Sequence, residues 1–393
     1  MKLPDGWTVK PIFEVAPIVS KLVDPKLDEY SQLTLIAPNH IQQKSGQIIA
    51  KETAAEQSAI SGKYLVSEND VIYSKIRPYL MKAAISAEKC LCSADMYPLH
   101  CNSEIEPRYL HSVLLSERFT YYANSCSART GIPKLNREDM GEYLLNLPPL
   151  PEQKAIADLL STGDEAIEKT GRLIQAKEKR FKQLLIDLIY VPAFEGKWKQ
   201  VRTKSLFKER KETNRGDLPL LSITNGEGVI PREDTNRKDT SNEDKSKYLR
   251  ICPGDIGYNT MRMWQGVSAL SPLEGIVSPA YTICIPGEKL YPSFVAYLFK
   301  MPFMIHRFYR YSQGLTSDTW NLKYPHFGEV KMPLPPLEEQ KAISETLSTA
   351  QHEIDLLKQL ADKYKTQKRG LMQKMLTGEW RVKEEIIRQY SEA

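Results

Sequence analysis

The sequence predicts an α+β protein that is an internal repeat: two mixed α/β blocks at opposite ends of a long antiparallel two-helix coiled coil, related by a pseudo-two-fold. Three observations predict it. The run Pro148-Pro149-Leu150-Pro151-Glu152-Gln153-Lys154-Ala155-Ile156 returns as Pro335-Pro336-Leu337-Glu338-Glu339-Gln340-Lys341-Ala342-Ile343, an offset of 187. Asp70-Val71-Ile72-Tyr73 is answered at an offset of 185 by Asp255-Ile256-Gly257-Tyr258, as are Leu33, Leu35 and Ile36 by Leu218, Leu220 and Leu221. Gly6-Trp7 recurs as Gly196-Lys197-Trp198 and again as Gly378-Glu379-Trp380.

These repeats divide the chain into 1–147, a first variable block; 148–192, a first helical region; 193–334, a second variable block; and 335–393, a second helical region with a C-terminal segment expected to pack near the N-terminus. Each variable block carries short β-branched and aromatic runs between turn signals, such as Pro253-Gly254-Asp255 before Ile256. Helical stretches are expected near Arg108 to Tyr122 and Ser293 to Tyr311. Each block ends in a proline-rich elbow, which cannot be helical inside but can launch a helix, with Glu152 and Glu339 in a first turn where the dipole favours anions.

The apolar spacing that follows alternates three and four residues. It runs Ile156, Leu160, Gly163, Ile167, Thr170, Ile174, Lys177, Phe181, Leu184 and Leu188 in one copy, and Ile343, Leu347, Ala350, Ile354, Leu357, Ala361, Tyr364, Lys368, Leu371 and Met375 in the other. Such a seam over more than four heptads marks a coiled coil. About 33 residues at 1.5 Å each give a rod of roughly 50 Å. Because the second helix must run back along the first, the pair is antiparallel, and Trp380 returns beside block one. Gly163 and Thr170 weaken the first seam, and Val191 to Glu195 read as a lengthened exit loop.

Composition bounds the function. Of 393 residues, 41 % are hydrophobic and 26 % charged, enough for ordinary cores, and the net charge of +5 is compatible with a polyanion partner. No apolar run reaches the roughly 20 residues of a membrane span, so a soluble, unexported, cytoplasmic protein is expected. The six cysteines are irregularly spaced, as reduced thiols would be. Cys90, Cys92, His100 and Cys101 lack zinc-ligand spacing, and no metal site is expected.

No phosphate-binding loop, methyltransferase Asn/Asp-Pro-Pro-aromatic tetrad or nucleophile with a base stands out. Glu243-Asp244-Lys245 sits in a charge-dense stretch better read as a solvated loop than as a nuclease site. No catalytic residue is therefore assigned. What recurs is DNA-binding grammar. Tyr73, Lys75 and Arg77, and in the second copy Tyr258, Asn259 and Arg262, alternate along a strand and would share a face; arginine pairs with guanine, asparagine with adenine, and all can hold phosphate. The tyrosines can equally be core. Before the elbows lie Arg129, Thr130, Lys134 and Asn136, and in block two Gln313, Thr316, Ser317, Trp320 and Asn321. Asn136 and Asn321, at equal offset, are either readers or turn caps. The late helices are basic: Lys169, Arg172, Lys177, Lys179, Arg180 and Lys182, then Lys358, Lys363, Lys365, Lys368, Arg369 and Lys374. Those faces are either a solvated coiled-coil surface or a contact for DNA or a partner subunit.

Two variable blocks, each closed by Leu-Pro-Pro-Leu-x-Glu-Gln-Lys-Ala-Ile and a long helix, resemble the specificity subunit of a type I restriction-modification enzyme, with its two target recognition domains. The resemblance covers essentially the whole chain. It implies a non-catalytic subunit that binds a bipartite, asymmetric site in double-stranded DNA, one half per recognition domain, with the helices as a ruler for the gap. It implies assembly with two adenine-N6 methyltransferase subunits, bringing S-adenosylmethionine, and with restriction/translocase subunits using ATP and Mg; this chain itself would bind no cofactor. A nuclease or methyltransferase with a degenerate site, and an orphan specificity protein serving modification or regulation only, are the alternatives.

Overall fold

The computed structural model describes residues 3–18, 21–127, 132–224, 226–235, 244–316 and 319–391. The chain forms two compact units: Met1–Arg172 with Lys358–Ala393, and Leu173–Leu357. Each unit holds one variable block and part of each long helix, α1 (Leu150–Leu185) and α2 (Leu337–Leu376).

In the first unit, strand β1 (Val71–Ser74) is the centre of a three-stranded sheet, antiparallel to Ala83–Ile85 and Met96–Leu99. A second sheet orders Leu22–Val23, Lys63–Val66, Cys90–Cys92 and Leu35–Ile36. Thr8–Pro11 pairs antiparallel with Leu144–Leu147, joining the start of the block to its end. In the second unit β2 (Ile256–Asn259) lies between Ser268–Leu270 and Tyr281–Pro286, with Phe207–Glu209 beyond, and Lys199–Arg202 pairs with Lys331–Leu334 as the counterpart joint. The expected helical stretches are each two helices, Pro107–Leu114 and Glu117–Ser127, then Pro292–Phe299 and Pro302–Tyr311. The first break is set by Ser116, whose Oγ accepts the Phe119 amide at 3.1 Å, and the second by Pro302, which has no amide to continue a ladder.

The repeated motifs turn out to be hydrogen-bonding devices. All three glycines of the Gly-Trp signature have left-handed backbone, Gly6 at φ 83°, Gly196 at 73° and Gly378 at 76°, a region glycine enters without a Cβ penalty. Trp7 and Trp198 are then buried, and their indole N–H groups donate to Glu152 at 3.0 Å and Glu339 at 3.1 Å. The neighbouring glutamines are wholly buried. Gln153 accepts the Glu106 amide at 2.9 Å and donates to the carbonyls of Glu104 and Pro148 at 2.9 and 2.8 Å; Gln340 repeats all three bonds with Tyr291, Lys289 and Pro335 at 2.8, 3.0 and 3.0 Å. The elbow motif thus ties strand ends, loop and helix start into one joint in each unit.

The third signature departs from the other two. Trp380 is 52 % exposed, with the Lys374 ammonium 4.3 Å from its ring centroid. Its neighbour Arg381 takes over, donating to both Glu152 oxygens at 3.0 and 2.7 Å, while Tyr390 donates to Asp158 at 2.5 Å. The C-terminal segment therefore does pack on the first unit near the N-terminus: a Cβ on Gly378 would stand 2.4 Å from Pro4.

Every predicted seam position on both helices is buried or half-buried, and near the elbows and the C-terminal end of α2 neighbours such as Ala155, Ala157, Ser344, Met372 and Leu376 are buried as well. Within the first unit the two helix segments run antiparallel. Asn146 just before α1 donates to Leu376 at 3.2 Å, and Asp164 further along α1 meets Lys368 at 2.5 Å. Gly163 leaves room for the Lys368 stem, 3.4 Å from where a Cβ would be. Within the second unit Lys177 pairs with Glu353 at 2.5 Å. One expectation is corrected. Residues 186–194 form no exit loop but continue helically, as a π-turn over Ile186–Tyr190 and a short helix Val191–Phe194 that buries Ile189. Several late-helix cations also have acidic partners: Lys169 with Glu165, Arg172 with Glu168 and Lys365 with Asp362 are pairs along one helix, and Lys368 is held by Asp164. Among the described residues no helix is long and apolar enough to cross a membrane.

Candidate nucleic-acid interface

In the first unit β1 is buried throughout, so Tyr73 is core and no DNA contact. It is 1 % exposed and lies edge-to-face on Phe119 at 5.2 Å, and burial pushes its phenol well above the ordinary value. Tyr258 on β2 is equally buried, 5.2 Å from Phe327. The common face expected for Tyr73, Lys75 and Arg77, and for Tyr258, Asn259 and Arg262, does not form: the first strand ends at Ser74, and on β2 the adjacent Tyr258 and Asn259 point to opposite faces with Arg262 beyond the strand's end at Asn259.

Beyond that end the chain pairs differently. Lys75 O accepts the Leu135 amide at 2.9 Å and the Arg77 amide reaches Pro133 O at 2.7 Å, with Ile76 opposite Lys134. This bridging brings the loop before the elbow alongside residues 75–77. Lys75 is half-buried: its ammonium donates to Ala94 O and sits 5.3 Å from the Tyr97 ring centroid. Burial lowers its pKa, and repulsion from Lys134 and Arg137 adds to that. Lys134, Arg77 and Arg137 are exposed. Arg137, which the sequence reading missed, follows the capping Asn136 and reaches Tyr64 Oη at 3.4 Å. Its only signal was its place next to a predicted cap.

Arg77 has φ 50° and ψ 62° and heads the 3-10 turn Pro78–Leu80. Left-handed backbone at a non-glycine residue stores on the order of 1 kcal/mol or more, and here it stands at an exposed arginine two residues from Lys75, which Lys134 and Arg137 approach. Arg262 is its counterpart, exposed at the head of the turn Met263–Gln265, with φ −131°.

The second unit repeats the bridging with different side chains. The Leu322 amide donates to Thr260 O at 2.8 Å, as Leu135 does to Lys75. These leucines lie 187 apart, so the residues that follow, Asn136 and Lys323, are the true equivalents, each at the N-cap of a short helix. The equal offset of Asn136 and Asn321 is therefore a coincidence, and both are structural. Asn136 Oδ1 accepts the Asp139 amide at 2.7 Å. Asn321 and Gln313 exchange backbone bonds at 2.8 Å, and the Asn321 amide donates to Gln313 O and Thr319 O at 3.3 and 3.2 Å. Asn259 is a turn residue too, accepting the Met261 amide at 3.0 Å.

Gln313 and Thr316 remain exposed on the loop so closed. Trp320 is half-buried, edge-on to Trp264 at 5.2 Å and Tyr309 at 4.9 Å; sequence reading missed both partners. Arg129, Thr130 and Ser317 lie outside the described residues, as does Glu243, while Asp244 accepts the Ser246 amide at 2.8 Å. Burial pushes the thiols of Cys90 and Cys101 up to about 11 and 12, which disfavours the thiolate a metal would take. Among the described residues no three His, Cys, Asp or Glu side chains are grouped to hold a metal ion.

The arrangement in each unit presents cations and hydrogen-bonding groups from a strand end, the turn behind it and a second loop. Comparison with known proteins points the same way. The EcoDI specificity subunit of Escherichia coli is 34 % identical over 200 residues, covering 50 % of this chain and 44 % of that protein's length. The MjaVIII specificity subunit of Methanocaldococcus jannaschii is 25 % identical over 98 % of this chain and 95 % of its own. The solved HsdS subunit from Thermoanaerobacter tengcongensis shares the fold at 19 % identity, with a TM-score of 0.52 over 97 % of this chain and 99 % of that one. The type I restriction modification DNA specificity domain is matched twice, at residues 4–178 and 198–365, and with both halves of the repeat so matched, the chain belongs to the type I restriction-modification DNA specificity family.

Proposed function

We propose that this chain is the DNA-reading and scaffolding subunit of a type I restriction-modification complex, with each unit recognising one half of a bipartite, asymmetric site and the long helices fixing the gap. One observation carries this reading. A single backbone device, an exposed arginine heading a turn after a buried strand and bridged to a second loop, occurs once in each unit and bears different side chains: Lys75, Lys134 and Arg137 in one, Gln313, Thr316 and Trp320 in the other. Phosphate contacts would position such loops, and base-edge contacts from the differing residues would specify sequence.

The chain does no chemistry of its own in this reading. Two adenine-N6 methyltransferase subunits supply catalysis with S-adenosylmethionine, and restriction/translocase subunits use ATP and Mg, all in the cytoplasm; this chain holds none of these cofactors. The basic late faces of the helices, with many of their charges compensated internally, fit a partner surface better than a DNA track.

The test is adenine-methylation mapping of DNA from cells co-expressing this chain and its neighbouring methyltransferase, with and without this gene. A split motif of two short halves around a fixed gap, lost when the chain is omitted, is the expected result. Methylation indifferent to its removal would overturn the proposal.

A further inference from the structure

Building on that reading, we infer that the second unit recognises its half-site through the C5-methyl groups of thymine, using an aromatic and aliphatic cluster that the first unit lacks. The cluster forms where the two bridged segments meet. Trp320 lies edge-on to both Trp264 and Tyr309, and the Trp264 indole is tied to Met261 O at 3.0 Å, so the rings are held in place before any ligand arrives. At its rim Met261 is 49 % exposed, Tyr309 40 % and Leu315 fully exposed.

Exposed apolar side chains on a rigid aromatic base mark an interaction site. Their surroundings say what kind. Arg262 and Arg310 are exposed beside them, and no carboxylate occurs among the described residues of 261–265, 305–316 and 319–323, Asp318 lying outside the described residues. A partner that is anionic and yet offers apolar groups is required. DNA meets both demands in the major groove, where thymine alone presents a methyl group.

The first unit is built otherwise at the same place. Tyr79, 51 % exposed, occupies the turn position of Trp264 without a ring contact among the described residues; Ile132 of the adjoining loop is 63 % exposed but joins no aromatic cluster among them, and Lys134 and Arg137 lie near Lys75, with Arg77 exposed two residues on. Cations suit acceptor edges and phosphates, not methyl groups.

The experiment uses the chain assembled with its methyltransferase and duplexes carrying the mapped site. The second unit's half-site is identified as the one whose sequence requirement Arg262→Ala relaxes. Each thymine there is replaced by deoxyuridine, which removes only the methyl. Affinity, read by fluorescence anisotropy, is expected to fall about fourfold per contacted methyl, the factor for one buried CH₂-sized group, and to stay within about twofold for the same replacement in the other half-site. The surface variant Met261→Ala with Leu315→Ala should bind thymine and uracil duplexes alike. Site-specific binding that ignores the missing methyl groups, or discrimination that survives in the variant, overturns this inference alone. Absence of any sequence-specific binding would instead overturn the proposed function on which it rests.

Discussion

Replacing Glu152 by alanine and comparing it with the same change at Glu339 would test how differently the two elbow joints are built. Glu152 is 1 % exposed and accepts three hydrogen bonds, from the Trp7 indole at 3.0 Å and from Arg381 Nε and Nη2 at 3.0 and 2.7 Å. Glu152→Ala leaves the buried Trp7 donor unsatisfied, about 1–3 kcal/mol. Arg381 is 42 % exposed and can return to water, so its share is under about 1 kcal/mol. The sum is roughly 1–4 kcal/mol, its upper end within reach of what breaking a buried pair costs. Among the described residues Glu339 has only the Trp198 indole at 3.1 Å as a partner and is itself exposed, so water can replace it and Glu339→Ala should cost under about 1 kcal/mol. Two units need not unfold together. The assay is therefore native-state hydrogen exchange of the full chain by mass spectrometry, read separately in each unit. Glu152→Ala should speed exchange in the slowest first-unit amides about 5- to 1000-fold, leaving the second unit unchanged. An equal effect of Glu339→Ala on its own unit would show that water cannot stand in for the exposed carboxylate, and the reasoning would fail.

Four further outcomes are expected. Gln153→Leu and Gln340→Leu each strip three partners from a buried joint and should destabilise their units by about 2–4 kcal/mol in the same exchange assay; a loss under about 1 kcal/mol would mean that the loops re-bond elsewhere. Arg77→Gly should be about 1 kcal/mol more stable than Arg77→Ala, because glycine accepts the left-handed backbone, whereas both should lose DNA affinity equally; matched stabilities would deny the strain. Arg262→Ala should weaken binding by about 1–3 kcal/mol at one half-site only, and uniform loss over all sequences would assign it to phosphate. Removing one heptad from both α1 and α2 shortens the pair by about 10 Å, close to 3 base pairs of DNA, so the mapped gap should shrink; an unchanged gap would refute the ruler.

The helices and the repeat were legible because both are written in residue order. A seam at Ile156, Leu160 and Ile167 is a periodicity, and burial follows it residue by residue. The elbow motif was legible as a motif but not as a device, since Trp7 and Glu152 lie 145 residues apart and only their shared recurrence hinted that they touch. The interface was the least legible. A period-two argument placed Tyr73, Lys75 and Arg77 on one face, yet Arg77 turns left-handed before Pro78 and the pairing passes to Pro133–Leu135, far along the chain. The asparagine equivalence failed for a related reason. The offset changes from 185 to 187 between Arg77 and Leu135, so a fixed offset compared a helix cap with a loop staple.

The division between repeated and unrepeated residues has an energetic logic. Glycines at positive φ, the Trp7–Glu152 bond and the buried glutamines hold the joints inside each unit, so replacing any of them weakens a joint. Arg77, Lys134, Arg262, Gln313 and Met261 stand outside that network on exposed turns, where substitution away from packing and buried bonds shifts stability by only about ±0.5 kcal/mol. Arg77 adds to this only the local backbone strain that any non-glycine residue there would share. Side chains that read DNA can therefore change without unfolding the frame that presents them, and two copies of one frame can come to read different sequences. The same separation explains why the joint was visible as a motif while the proposed reading residues were not: the joint's residue types are dictated by the fold, whereas the types of residues proposed to read DNA would be dictated by a partner absent from the sequence.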